Sequence, residues 1–280
     1  MTTHAARAFF RLEISETLRS RWLVFTGAVY ALVFGAFLWL GLRESSVLGF
    51  TGLSRVVLNM ANAVALAVPL VALVATSQSI VRARQSGFFE LMLSQPVRRG
   101  DWFASMVASR FVVVVGPLLV LFAGALVVGP LVDAGDHALV PVVLRSLVVT
   151  AALAWAFLGI GLWISSATRS PERATVIALL AWIAASALHD FALIGVLLRF
   201  KLAPSVVFTL AALNPSEATR IAILSGVDPD LSVLGPVGFW LANTLGPRLA
   251  LVVGVAWPAL LGTFALWRAE RRLSRSDLVG

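Results

Sequence analysis

Long apolar runs dominate the chain. Six of them, residues 22–42, 56–81, 105–130, 142–167, 174–198 and 247–267, exceed or match the roughly 20 residues that carry a helix across a bilayer core. Each holds 21 to 26 residues, which is about 31–39 Å at 1.5 Å per residue. Pro69, Pro117 and Pro258 fall inside three of these runs. In lipid such prolines are tolerated because neighbouring helices satisfy the freed carbonyls, and they mark places where a helix kinks. The pattern predicts an all-α membrane protein with six transmembrane helices.

The polar stretches between the runs are uneven. Residues 5–20, AARAFFRLEISETLRS, place Phe9, Leu12, Ile14 and Leu18 among charges at loosely helical spacing. That predicts a helix lying on the membrane surface before the first span, with an ordinary flanking helix as the alternative. Residues 82–102, RARQSGFFELMLSQPVRRGDW, set a dense apolar patch among charges, with Gly87 and Pro96 as punctuation. A plain inter-span loop has no need of such a patch, so it is either a docking surface or a segment folded back onto the membrane. Residues 168–173, TRSPER, form a tight basic turn. On the other side, 43–55 and 131–141 are short, whereas 199–246 is about 48 residues long. Within it AALNPSEATRIAIL offers Asn214 or Ser216 as a helix cap, with Pro215 suited to the first turn. This region is expected to form short helices at the outer face that present a platform.

Composition strengthens the membrane reading: 59% of residues are apolar and 13% charged, against about 45–50% and about 25% in soluble domains. The net charge is +8, and the distribution of its sources gives an orientation. Arg7, Arg11, Arg19, Arg21, Arg82, Arg84, Arg98, Arg99, Arg110, Arg169, Arg173, Arg268, Arg271, Arg272 and Arg275 lie toward the side of the termini. Arg43, Arg55, Arg145, Arg199, Lys201, Arg220 and Arg248 lie toward the other, while the acidic residues divide evenly. The positive-inside rule then puts both termini in the cytoplasm. Because the arginines flank spans, the membrane accounts for the charge better than nucleic acid does. The N-terminal residues 1–21 are polar and basic and do not resemble a cleaved signal peptide.

Several chemistries are excluded. There is no cysteine, hence no disulfide or thiolate metal site. The one lysine, Lys201, stands between Phe200 and Leu202, so the chain has no phosphate-binding loop of the glycine-lysine type. His4, His137 and His189 are scattered, as are the four methionines, and no soft-metal path appears at helical spacing. Polar groups inside spans are few. Asn59 and Asn62 share a helix face, and His189 and Asp190 sit in the outer half of the fifth span. They are candidates for a transport path, with interhelical glue and a headgroup-level position as the alternatives.

These pieces together resemble the ABC-2 permease superfamily. A basic elbow ending in RSRW, Arg19 to Trp22, enters the first span. SGFFELMLSQPVRR, Ser86 to Arg99, follows the second, and NPSEATR, Asn214 to Arg220, precedes the last. Within the superfamily, GFTGLSRVVLNMANAVALAVPLVAL from Gly49 to Leu73, LNPSEATR and LGPVGFW are most similar to the permeases that serve maturation of the nitrous oxide reductase copper centre. Many superfamily members carry glutamate before the glycine and threonine after it, where this chain has Ser86 and Phe88.

The resemblance implies an interfacial elbow over 1–21, a membrane domain over 22–268 and a cytoplasmic tail over 269–280. It also implies a homodimer of permeases in a bacterial inner membrane, bound to separate cytoplasmic ATPases that hold the ATP and magnesium. A periplasmic β-helical protein and a membrane-anchored copper chaperone are the further implied partners. The chain itself is expected to bind no cofactor and no nucleic acid. ATPase docking falls to Phe88, Phe89, Glu90, Leu91, Arg98 and Arg99, with Arg169 and Arg173 as a second contact. Asn214, Glu217, Arg220 and Asp228 are expected to meet the outer partner. An ABC-2 exporter of a lipid, glycan or drug is the rival within the superfamily, and a membrane enzyme is the rival outside it.

Overall fold

A computed structural model describes residue 15 and residues 21–48, 53–89, 98–132, 139–226, 235–244 and 246–275. The expected surface helix over 5–20 therefore lies almost wholly outside the described residues. Among those that are described, every regular element is helical. They are α1 Arg21–Leu48, α2 Leu53–Thr76, α3 Ser79–Gln85, α4 Arg99–Val132, α5 Leu139–Ala167, α6 Pro171–Ile183, α7 His189–Arg199, α8 Pro204–Ala212, α9 Pro215–Leu224, α10 Gly235–Thr244 and α11 Gly246–Arg275. A π-helical turn, Ala184–Leu188, joins α6 to α7.

Among the described residues, five helical stretches are long and apolar enough to cross a membrane: Asn62–Gln85, Arg99–Gly124, Val140–Ala167, Pro171–Arg199 and Gly246–Arg275. The first expected span, 22–42, folds as α1, but the described apolar stretch within it, Val24–Ala36, is shorter than a crossing length. Thus five of the six expected spans meet the requirement among the described residues.

The second span departs from its expected form. Its apolar run predicts one helix over 56–81, yet α2 stops at Thr76 and α3 restarts at Ser79. The Thr76 hydroxyl donates back to the carbonyl of Ala72 at 2.6 Å, a bond that competes with the helical ladder and bends it. Ser77 and Gln78 then make the turn. Two amides in the first turn of α3, from Ile80 and Val81, donate to Ser165 Oγ of α5 at 2.9 and 3.2 Å. A side chain from another helix thus caps the start of α3.

α5 occupies the centre and packs on α11, α2, α4 and α9. Its approach to α11 is close enough to require glycine. A Cβ on Gly159 would stand 2.5 Å from the Gly262 carbonyl oxygen, and one on Gly262 would stand 2.6 Å from that of Trp155. In lipid, where apolar burial between helices gains little, such small-residue contacts let backbones pack and gain dispersion energy. One large core runs through Tyr30, Val68, Leu118, Leu153, Phe157 and Leu241. A second, smaller core sits at the end where α2 breaks, and includes Ile80, Phe89, Trp102, Phe103, Leu162, Leu266 and Leu273.

Candidate functional site

The end of the bundle that carries Arg82–Arg84, Arg169–Arg173 and Arg268–Arg275 is held together by polar bonds between segments distant in sequence. Gln78 Nε2 donates to the Thr175 hydroxyl. Arg84 Nη1 donates to the Ser166 carbonyl and Gln85 Nε2 to the Arg169 carbonyl, each at 3.3 Å. The α5–α6 turn is itself built locally: Ser170 accepts from the Arg173 amide at 3.3 Å, and Pro171 opens α6. Serine at the cap with proline at the first position is a favoured helix start. The described start of the first expected docking piece, through Arg84 and Gln85, is therefore tied to the end of α5 and to the turn that forms the second.

Beyond α3 the chain turns at Ser86–Gly87, with Gly87 at φ +69°, a conformation that a residue bearing Cβ rarely takes. The turn returns Phe88 and Phe89 against α4. Phe89 is 1% exposed and meets the Trp102 ring edge-on at 5.0 Å, with Phe88 5.9 Å from the same ring. This corrects the expectation that Phe89 faces a partner: it anchors the loop inside its own chain, because Trp102 offers an apolar aromatic seat. Phe88 is half-buried. Arg98 and Arg99 sit at the start of α4, where Arg99 donates to the Ser274 carbonyl at 3.4 Å. Arg169 and Arg173 are exposed. Glu90 and Leu91 lie outside the described residues.

At the opposite end α9 is tucked between α2, α5 and α11. Asn214 caps it as the sequence predicts, accepting from the Ser216 amide at 3.0 Å, with Pro215 in the first turn. Its Nδ2 donates to the Ala185 carbonyl in the π turn at 2.6 Å. A π turn leaves carbonyls out of register with the usual ladder, and Asn214 fills one such acceptor. Glu217 Oε2 pairs with Arg220 Nη2 at 2.6 Å. Burial pushes the Glu217 carboxyl up to about 7, against the pull of Arg220 and with Asp190 adding to the rise.

These groups surround a cavity of about 180 Å³ lined in part by Asn62, Ser186, Asp190, Ser216, Glu217 and Arg220. Ser186 and Ser216 carry buried hydroxyl oxygens without a hydrogen-bond partner among the described residues. Asn62 and Asp190, read as path candidates, thus meet Glu217 and Arg220, read as outer-partner contacts. The placement corrects part of that second reading. Asn214 and Glu217 are 5% and 6% exposed and face the bundle interior, leaving Arg220 partly exposed. Glu217 lines the buried cavity, and Asn214 spends its polar atoms on the α9 cap and the π turn. His189 is half-buried and does not line the cavity. Asn59 lies on α2 with its side chain outside the described set, and Asp228 is outside it altogether.

Arg145 was legible only as a charge near an outer loop. It ties three elements together, donating from Nε to the Ala222 carbonyl at 2.8 Å and from Nη2 to Ser225 Oγ at 2.7 Å and the Pro247 carbonyl at 2.8 Å. A cation over the last carbonyls of α9 also complements the helix dipole. Its position inside the apolar run 142–167 was the available signal.

Comparison with known proteins agrees with this architecture. The family model described as "ABC-2 family transporter protein" matches residues 7–277. The chain is 27% identical over 255 residues to a "Probable ABC transporter permease protein NosY" from Stutzerimonas stutzeri, covering 90% of each chain. It is 28% identical over 262 residues to the protein of the same description from Pseudomonas aeruginosa, covering 88% of this chain and 95% of that one. In such transporters ATP hydrolysis lies in separate subunits. Five apolar stretches of crossing length among the described residues, and a family match across nearly the full length, lead to one assignment: the chain belongs to the ABC-2 family of transporter proteins, as a multi-pass membrane permease subunit.

Proposed function

We propose that this chain couples a cytoplasmic ATPase to a periplasmic partner in a transporter that serves assembly of the nitrous oxide reductase copper centre, delivering copper or sulfur. It crosses the bacterial inner membrane six times, with both termini in the cytoplasm, and works as a homodimer. The ATPase subunits are NosF-like and hold ATP and magnesium. The outer partner is a NosD-like β-helical protein, and a NosL-like membrane-anchored chaperone supplies copper. The description of the two relatives supports the pathway.

The observation that carries the coupling reading is the union of α3 with the α5–α6 turn through Gln78, Arg84 and Gln85. A push on either segment is shared by both, and α5 is the helix on which most of the bundle packs. Such a unit is what a two-state coupling element requires. Arg169 and Arg173 stand exposed beside it. Phe88 and Phe89 anchor the described start of the loop on Trp102, and Arg99 ties the start of α4 to the Ser274 carbonyl.

The test is co-purification of the ATPase with a permease carrying Arg169→Glu and Arg173→Glu. Loss of the ATPase, together with a nitrous oxide reductase lacking its copper centre, is expected. Full retention of both refutes the docking surface.

A further inference from the structure

Near its end, α11 carries Arg268, Arg271, Arg272 and Arg275 at i, i+3, i+4 and i+7, so all four share one helical face. With Trp163 of α5 they line a cavity of about 320 Å³. Among the described residues no acidic side chain lines it, and none of these four arginines has an ion-pair partner. Arg272 also lies close enough to Arg84 for their charges to repel. Aromatic rings supply part of the compensation: Arg271 stands 3.8 Å from the Trp267 ring centre and Arg268 stands 5.9 Å from that of Trp163. Ring faces attract a cation but leave the N–H groups of the guanidinium unspent. Four like charges gathered in one recess favour an anionic ligand.

The surface next to the recess narrows the ligand class. Leu260, Phe264 and Trp267 precede the arginines along α11 and are 66%, 50% and 40% exposed. Phe264 packs against both Trp163 and Trp267. A bare apolar strip therefore leads along the span into a cationic recess, with two tryptophans at the boundary, where amphipathic rings collect at the headgroup level. The order of these features matches a phospholipid, acyl chains first and phosphate last. Guanidinium groups bind phosphate oxygens through paired N–H donors.

We propose that this recess is a binding site for the phosphate headgroup of an anionic phospholipid, with its acyl chain lying along Leu260, Phe264 and Trp267. The inference rests on the membrane placement of α11 and not on the copper-centre reading, so either can fail alone.

The test uses the full chain purified in a neutral detergent. Phosphatidylglycerol, phosphatidylcholine and inorganic phosphate are added separately, the thermal midpoint is followed, and retained lipid is identified by mass spectrometry of an extract. Phosphatidylglycerol is expected to be retained and to raise the midpoint by several degrees, with phosphatidylcholine and phosphate doing markedly less. The exposed pair Arg271→Gln and Arg275→Gln is expected to abolish that difference, and Arg275→Gln alone to reduce it. Equal stabilisation by the two lipids overturns the proposal, as does a full effect from phosphate alone. A double variant that keeps its preference for phosphatidylglycerol but loses the ATPase also overturns it, by assigning the arginines to a protein contact. Should the double variant not fold, the lipid content of the unaltered chain and the single variant decide.

Discussion

Glu217 is an acid with little access to water and one cation beside it. Its carboxyl is held near 7 by burial, well above its ordinary 4.5. The folded state therefore binds this proton more tightly than the unfolded one. Its contribution is fullest below about pH 4.5 and is lost as pH rises through about 7. The charged groups that face it are Arg220, its partner, and Asp190 across the cavity. Thermal midpoints of the detergent-solubilised protein should accordingly fall between about pH 5 and about pH 8, and Glu217→Gln should flatten that slope. An unchanged slope in the variant would place the titration elsewhere. Arg145 gives a second prediction at this scale. Arg145→Met strips donors from the Ala222 and Pro247 carbonyls and from Ser225. Charge-assisted bonds of this kind suggest a loss on the order of 3 kcal/mol. The exposed Arg248→Gln should cost within about 0.5 kcal/mol in the same unfolding experiment.

Among elements, the α5–α11 contact is constrained from both sides by glycine against backbone. Gly159→Val and Gly262→Val each put side-chain atoms where a neighbouring backbone already lies. Both should abolish a monodisperse folded species on gel filtration. Gly116→Ala, with nothing within 4 Å of its Cβ, should leave that species intact. Ser165→Ala removes the acceptor for two first-turn amides of α3 and should cost about 1–2 kcal/mol. It is also expected to loosen the loop's hold on the α5–α6 turn, seen as faster hydrogen exchange in α3.

Element positions were largely legible because uninterrupted apolar length is a strong signal for spans. The break at Thr76–Gln78 was written in the cluster Thr76, Ser77, Gln78 and Ser79, although length alone reads through it. The cap at Asn214 was legible because capping is local. The burial of α9 was not. Its mixture of Glu217, Thr219 and Arg220 with Ile221 and Ile223 suits an exposed short helix, and only packing against three longer helices reverses that. For the same reason the convergence of Asn62 and Asp190 with Glu217 had no signature: their sequence separations encode nothing about which faces meet. Phe89 shows the same limit, since an apolar loop residue seated on Trp102 looks in sequence like one awaiting a partner.

For the whole molecule, the proposed coupling makes the chain a lever driven at the end where α3 meets the α5–α6 turn. The absence of cysteine makes this directly measurable, because any thiol introduced is the only one. Single cysteines replace Ser86, beside α3, and Arg169, in the α5–α6 turn, both of which are exposed; a third replaces the exposed Lys201 beyond α7 at the far end. Each variant is assembled with its ATPase and treated with a short bifunctional reagent. Cross-linking of the ATPase from positions 86 and 169, and not from 201, is the predicted result. Cross-linking from 201, or from neither 86 nor 169, would contradict the account.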